Sequence, residues 1–251
     1  MIKTQKGFTL VELAIALVII GLLLAGILKG RELITSAQLN MTASQTKSLT
    51  AALITFHDMQ RGMPGDLTAP TTRLTNCANQ CAVAGNGDGR IGNAAEVALA
   101  RSLSPAPESL VAWAQMSTMN LISGTLPEVT ALEFGNSDPA AAIGGGYVIS
   151  YLGTPVFPLP YITATQPRDG HYLALVSRAD GIQVTTTTMT PPVAERLDRK
   201  IDDGKPNTGG MVAIGIALAG SQQCATSTAA SGLYASTVSN ENCGAFIRMR
   251  D

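Results

Sequence analysis

From Phe8 to Leu28 the chain runs for 21 residues with a single charge, Glu12. Coiled as a helix, such a stretch rises about 30 Å, the thickness of a bilayer's hydrocarbon core. A short basic leader, residues 1–7 with Lys3 and Lys6, precedes it. Lysines ahead of a first span favour the cytoplasmic side, so the rest of the chain is expected to emerge across the membrane. The span therefore divides the chain into a leader (1–7), a membrane half-helix (8–28), an amphipathic half-helix (29–60) and an exported globular head (61–251).

An ordinary cleaved signal peptide is the rival reading. Its apolar region runs about 7–15 residues and ends in small residues at the cut. The run here is longer, and only Leu24-Ala25-Gly26 could serve as a weak site.

Gly7, the apolar Phe8 after it, and an acid at Glu12 on a spanning helix resemble the prepilin signal of type IV pilins and type II secretion pseudopilins. The resemblance covers the first 28 or so residues. It implies that prepilin peptidase cuts between Gly7 and Phe8 and that the new N-terminus is methylated. It also implies other pilin or pseudopilin subunits and an inner-membrane assembly platform as partners. The expected location is a single pass of the inner membrane with the head in the periplasm, followed by a filament in the periplasm or at the cell surface.

Glu12 can be argued without any family. A carboxylate inside a membrane helix costs roughly 2.5–3.5 kcal/mol even on mild insertion scales, so it usually has a partner. After a cut at Gly7, Phe8 carries a free amine four residues before Glu12. That amine can meet Glu12 in its own chain or in a neighbour. In the second case a wrong register leaves both charges bare, which locks helices in one stagger. A plainer reading is a capping box, Thr9-x-x-Glu12, with the carboxylate favoured by the helix dipole. The two readings are compatible.

Charge is sparse elsewhere: 17 Lys and Arg against 18 Asp and Glu in 251 residues. No basic arm or bulk positive charge suggests nucleic-acid binding. Aromatics make up only 4% of the chain, which predicts a lightly cored, loop-rich head. All four cysteines, Cys77, Cys81, Cys224 and Cys243, follow the span. An even number on the exported side reads as two disulfides. Three pairings are possible; local closure favours Cys77–Cys81 and Cys224–Cys243. Zinc is disfavoured by the spacing and by the lack of a nearby histidine.

Past Leu28 the helix is expected to continue to about Met59 as a pilin-like spine, with Leu33, Ala37 and Met41 on one face and Leu49, Leu53 and Phe56 on another. Gly62 and Pro64 should end it. Residues 62–92 read as a long ordered loop. Short helices are predicted over Asn93–Leu103, Glu108–Ile122 (ended by Gly124) and from Thr190-Pro191 to Gly204. Strands are predicted at Tyr147–Leu152, His171–Ser177, Ile182–Thr188, Met211–Leu218 and Ala245–Arg250. The fold class is thus α+β, a long helix packed on a small antiparallel sheet. Trp113 reads as a core anchor, and the Glu195, Arg196, Asp198, Arg199, Lys200 run as a solvated face.

Gly85-Asn86-Gly87-Asp88-Gly89-Arg90-Ile91-Gly92 is similar to part of a calcium loop, but Ala84 and Ala95 stand where the first and last ligands belong. No cofactor is expected. Serine-hydrolase, zinc-protease and phosphate-loop motifs are missing, and no Gly-x-Gly-x-x-Gly follows a predicted strand. His57 and His171 are far apart in sequence, and the adjacent Asp202 and Asp203 should point apart. The head, from Pro64-Gly65-Asp66 through Trp113-Ala-Gln115 to Asp198–Pro206, loosely resembles larger prepilin-like proteins of Gram-negative bacteria. The function expected is a non-enzymatic pilin-like subunit, minor rather than major because the head is large. The alternative is a membrane-tethered binding module, adhesin-like, that does not polymerise.

Overall fold

The computed structural model describes residues 9–92, 101, 103, 106–126, 128–153, 168–180, 187–215, 223–227 and 229–249. Its elements, in chain order, are α1 (Leu10–Gln60), α2 (Pro70–Arg73), a 3-10 turn (Asn79–Ala82), α3 (Glu108–Thr118), β1 (Gly146–Leu152), β2 (Gly170–Val176), α4 (Pro191–Ile201), β3 (Met211–Ile214) and β4 (Gly244–Arg248). The class is α+β, with a four-stranded antiparallel sheet and two disulfides in the loops, Cys77–Cys81 and Cys224–Cys243. The chain divides into two units, Met1–Gln38 and Leu39–Asp251, and α1 contributes to both.

Within the second unit, α1 buries Leu39, Thr42, Ala43, Thr46, Leu49, Ala52, Leu53 and Phe56. This is a three- and four-residue stripe, the face of a helix lying on a core. The predicted Leu49–Leu53–Phe56 face is part of it. The Leu33–Ala37–Met41 face is not: all three are exposed, and the buried stripe starts at Leu39. Tyr147 on β1 donates its hydroxyl to the Thr42 carbonyl at 3.1 Å, and the Ala142 N–H donates to Gln45 Oε1 at 3.0 Å. Both bonds fix the sheet's end against α1.

The helix ends where the sequence indicates, by a different residue. Arg61, not Gly62, takes the left-handed conformation (φ 50°), and its N–H bonds the His57 carbonyl at 2.7 Å. Helix α3 likewise stops four residues before Ile122. Asn120 turns left-handed (φ 56°), its N–H reaches the Ser117 carbonyl, and the Leu121 N–H reaches Met116. That pair of bonds is the Schellman ending, in which asparagine can replace glycine. Gly124 therefore plays no part in stopping the helix. Thr190 precedes Pro191 at the start of α4 as expected, yet its hydroxyl makes no capping bond.

The strand order is β1-β2-β4-β3. The longest pairing joins β1 and β2, from Gly146 opposite Val176 to Leu152 opposite Gly170. Strand β4 lies inside the sheet, pairing β2 through Tyr172–Arg248 and β3 through Met211–Ile247. Alternation sends Tyr147, Ile149, Leu173, Leu175 and Ile247 to the main core with Trp113, Phe56 and Leu53. The other face buries Val148, Leu152, Tyr172, Val176 and Phe246 in a second cluster. Few aromatics suffice because the sheet is small and apolar on both faces. Most of the Asn93–Leu103 helix and most of the Ile182–Thr188 strand fall outside the described residues. So does the far end of the Met211–Leu218 strand.

Candidate functional site: an exposed apolar helix opened by Thr9 and Glu12

The first described residues form a closed capping box. The Thr9 N–H and hydroxyl both donate to Glu12 Oε2, at 2.9 and 2.8 Å. In return the Glu12 N–H donates to Thr9 Oγ1 at 3.2 Å. The carboxylate thus satisfies backbone donors that the first turn of any helix leaves open. Sequence spacing alone pointed to this pair. From here to Leu28 every side chain is exposed, including Leu10, Leu17 and Leu22 at 86%, 69% and 70%. The segment is long and apolar enough to cross a membrane, and the chain itself covers none of it. A surface of that extent needs lipid or other apolar helices around it. Gly7 and Phe8 lie outside the described residues.

Residues 2–28 match the family model of the prokaryotic N-terminal methylation motif. The chain carries a prepilin-type N-terminus. No curated protein and no solved structure matches the chain. The motif marks a prepilin-type precursor, of the kind that prepilin peptidase processes, and points to a structural subunit rather than an enzyme. Its apolar helix agrees with membrane anchoring.

In the head of this prepilin-type chain, the segments singled out by sequence meet at one node. The turn at Pro64-Gly65-Asp66 packs on the start of α3. Gly65 has φ +84°, its N–H bonds Gln115 Oε1 at 2.7 Å, and a Cβ there would lie 2.3 Å from the Glu108 carbonyl. Only glycine fits that backbone and that gap. The Gln115 amide also bonds the Cys81 carbonyl at 3.2 Å, tying in the first disulfide.

Asp66 is the hub. Its carboxylate accepts the N–H groups of Gly87, Asp88 and Gly89, at 2.6, 3.1 and 2.7 Å. Glu108 accepts those of Asn86 and Gly92, at 2.9 and 2.8 Å. Burial pushes the Glu108 carboxyl above its ordinary value, against the two N–H donors that stabilise its charge. The glycine-rich loop therefore folds with its donors inward around two carboxylates of its own chain. A calcium loop would turn oxygens inward instead. Asn86 and Asp88 spend side-chain oxygens on the N–H groups of Asp88 and Arg90, as Asx turns. Sequence reasoning missed Asp66 and Glu108 as partners of this loop. The available signal was a run of glycine N–H groups with no acceptor of its own.

Two further polar groups are buried without sequence warning. Arg101 and Asp138 form an ion pair at 2.8 Å with both side chains fully buried. Asp198 is also buried, which corrects its assignment to a solvated face. It sits on the Ala194–Leu197 side of α4, and Tyr234 donates a hydrogen bond to it at 2.9 Å. Asp202 and Asp203 do not point apart: their carboxylates and that of Asp198 lie within 4.8 Å of one another, because the helix ends at Asp202. His57 and His171 line one cavity. His171 is buried and accepts the Ile91 N–H at 3.2 Å, whereas His57 is exposed on α1.

Burial pushes the Asp198 carboxyl from 3.8 up to about 7, opposed by the Tyr234 hydroxyl and reinforced by Asp203 and Asp202. The folded state therefore holds a proton that the unfolded chain releases near pH 4. This contribution to stability is complete below pH 4 and is lost as pH rises through 7. Asp198→Asn should abolish that fall. Unfolding free energies at pH 4.5 and 8 should differ between wild type and variant by about 2 kcal/mol, allowing for solvent screening. Parallel curves would refute it.

Proposed function

We propose that this chain is a pilin-like structural subunit of a type IV pilus or pseudopilus. The observation that carries the reading is the wholly exposed apolar first half of α1, up to Leu28, in a prepilin-type N-terminus, with Glu12 in its first turn. In this reading prepilin peptidase cuts between Gly7 and Phe8, and the helix passes from inner-membrane lipid into a bundle of neighbouring helices on the assembly platform. The apolar surface is covered in both places, so transfer need not expose it to water. Glu12 then answers the Phe8 amine of a neighbour. The head stands in the periplasm before assembly and on the filament afterwards. At about 190 residues it is bulky for a repeating subunit, which favours a minor position.

The mass of the mature N-terminus tests the reading. Loss of seven residues with one added methyl on Phe8 is expected, together with recovery of the subunit in sheared filaments. An intact Met1 would return the chain to the tethered-module reading, and a cut after Gly26 to that of an exported protein released by an ordinary signal peptide.

A further inference from the structure

A cavity of about 610 Å³ opens where the end of α1, the Asp66 turn and the 87–91 loop meet. Its wall carries three arginines, Arg61, Arg73 and Arg90. Among the described residues none of them is ion-paired with a carboxylate. The acids on the same wall are occupied: Asp66 by three backbone N–H groups, Asp88 by that of Arg90. Three arginines against the two carboxylates leave the wall with one positive charge in excess, histidines counted neutral.

Two of the arginines are also held. Arg90 lies over the Tyr151 ring, 4.6 Å from its centre, and Arg73 donates to the Gln60 carbonyl at the end of α1. Arg61 occupies a left-handed backbone (φ 50°) with a glycine next to it in sequence. Glycine at 61 would relieve that conformation, so arginine there carries a local backbone cost.

We propose that this cavity binds a phosphate monoester carried by a small soluble molecule. A carboxylate offers two oxygens and is saturated by one guanidinium fork. The terminal phosphate offers three, enough for more than one guanidinium donor. The volume exceeds that of the phosphate and leaves room for its carrier.

The full chain in uncharged detergent micelles, titrated calorimetrically at low ionic strength with inorganic phosphate and with glucose 6-phosphate, tests this. Saturable one-site binding is expected, weakened at least tenfold by Arg61→Gly and by Arg90→Gln. Arg61→Gly should melt no lower than wild type, because glycine suits the backbone, so its loss of binding cannot be misfolding. Binding that does not saturate, acetate binding as tightly as phosphate, or Arg61→Gly titrating like wild type would each overturn the assignment.

Discussion

Glu12→Ala is expected to reduce recovery of the subunit in sheared filaments at least tenfold, with cleavage after Gly7 and membrane insertion unchanged. Alanine removes the counter-charge of a neighbour's amine, and an unpaired charge among apolar helices costs a few kcal/mol; about 1.4 kcal/mol is already tenfold. The capping box complicates the interpretation, since Glu12 also accepts the Thr9 N–H and hydroxyl. Glu12→Gln separates the two roles. Glutamine can close the same box but carries no charge. If pairing matters, Gln behaves like Ala. Wild-type incorporation of the Gln variant would reduce Glu12 to a cap, and quantitative immunoblotting of sheared material decides it.

Asp66→Ala should destabilise the head by about 4 kcal/mol. Three backbone N–H groups lose a charged acceptor, and each such bond is worth roughly 1.5–3 kcal/mol, reduced here because the loop can partly relax toward water. Asp66→Asn keeps the shape and one acceptor oxygen, so about half that loss is expected. Trp113, the single tryptophan and fully buried, reports the transition by fluorescence in guanidinium. An Asp66→Ala midpoint within error of wild type would show that the loop holds its shape without the carboxylate.

What the sequence made legible follows from how far apart the interacting residues are. The spine, its end near residue 61 and the capping box depend on neighbours within one or two turns, and periodicity and glycine or proline placement reveal them. The strands at 147–152 and 171–177 were visible for the same reason, to within a residue. The partners of the 86–92 loop were not legible because donors and acceptors sit about twenty residues apart, and the loop's own side chains imitate metal ligands. Asp198 was misplaced because it is flanked by charged residues, while the group that makes burial tolerable, Tyr234, comes 36 residues later. Arg101 and Asp138 gave no local signal, since each looks like an ordinary surface charge until the fold joins them.

The interior position of β4 has a consequence for biogenesis. A ribosome delivers residues 244–248 after the other three described strands, yet the sheet cannot close without them. Until then β2 has only β1 beside it, and β3 has an unsatisfied margin that invites pairing with other chains. Closure of the sheet therefore waits for its latest-made described strand, and nascent copies need shielding from one another until that strand arrives.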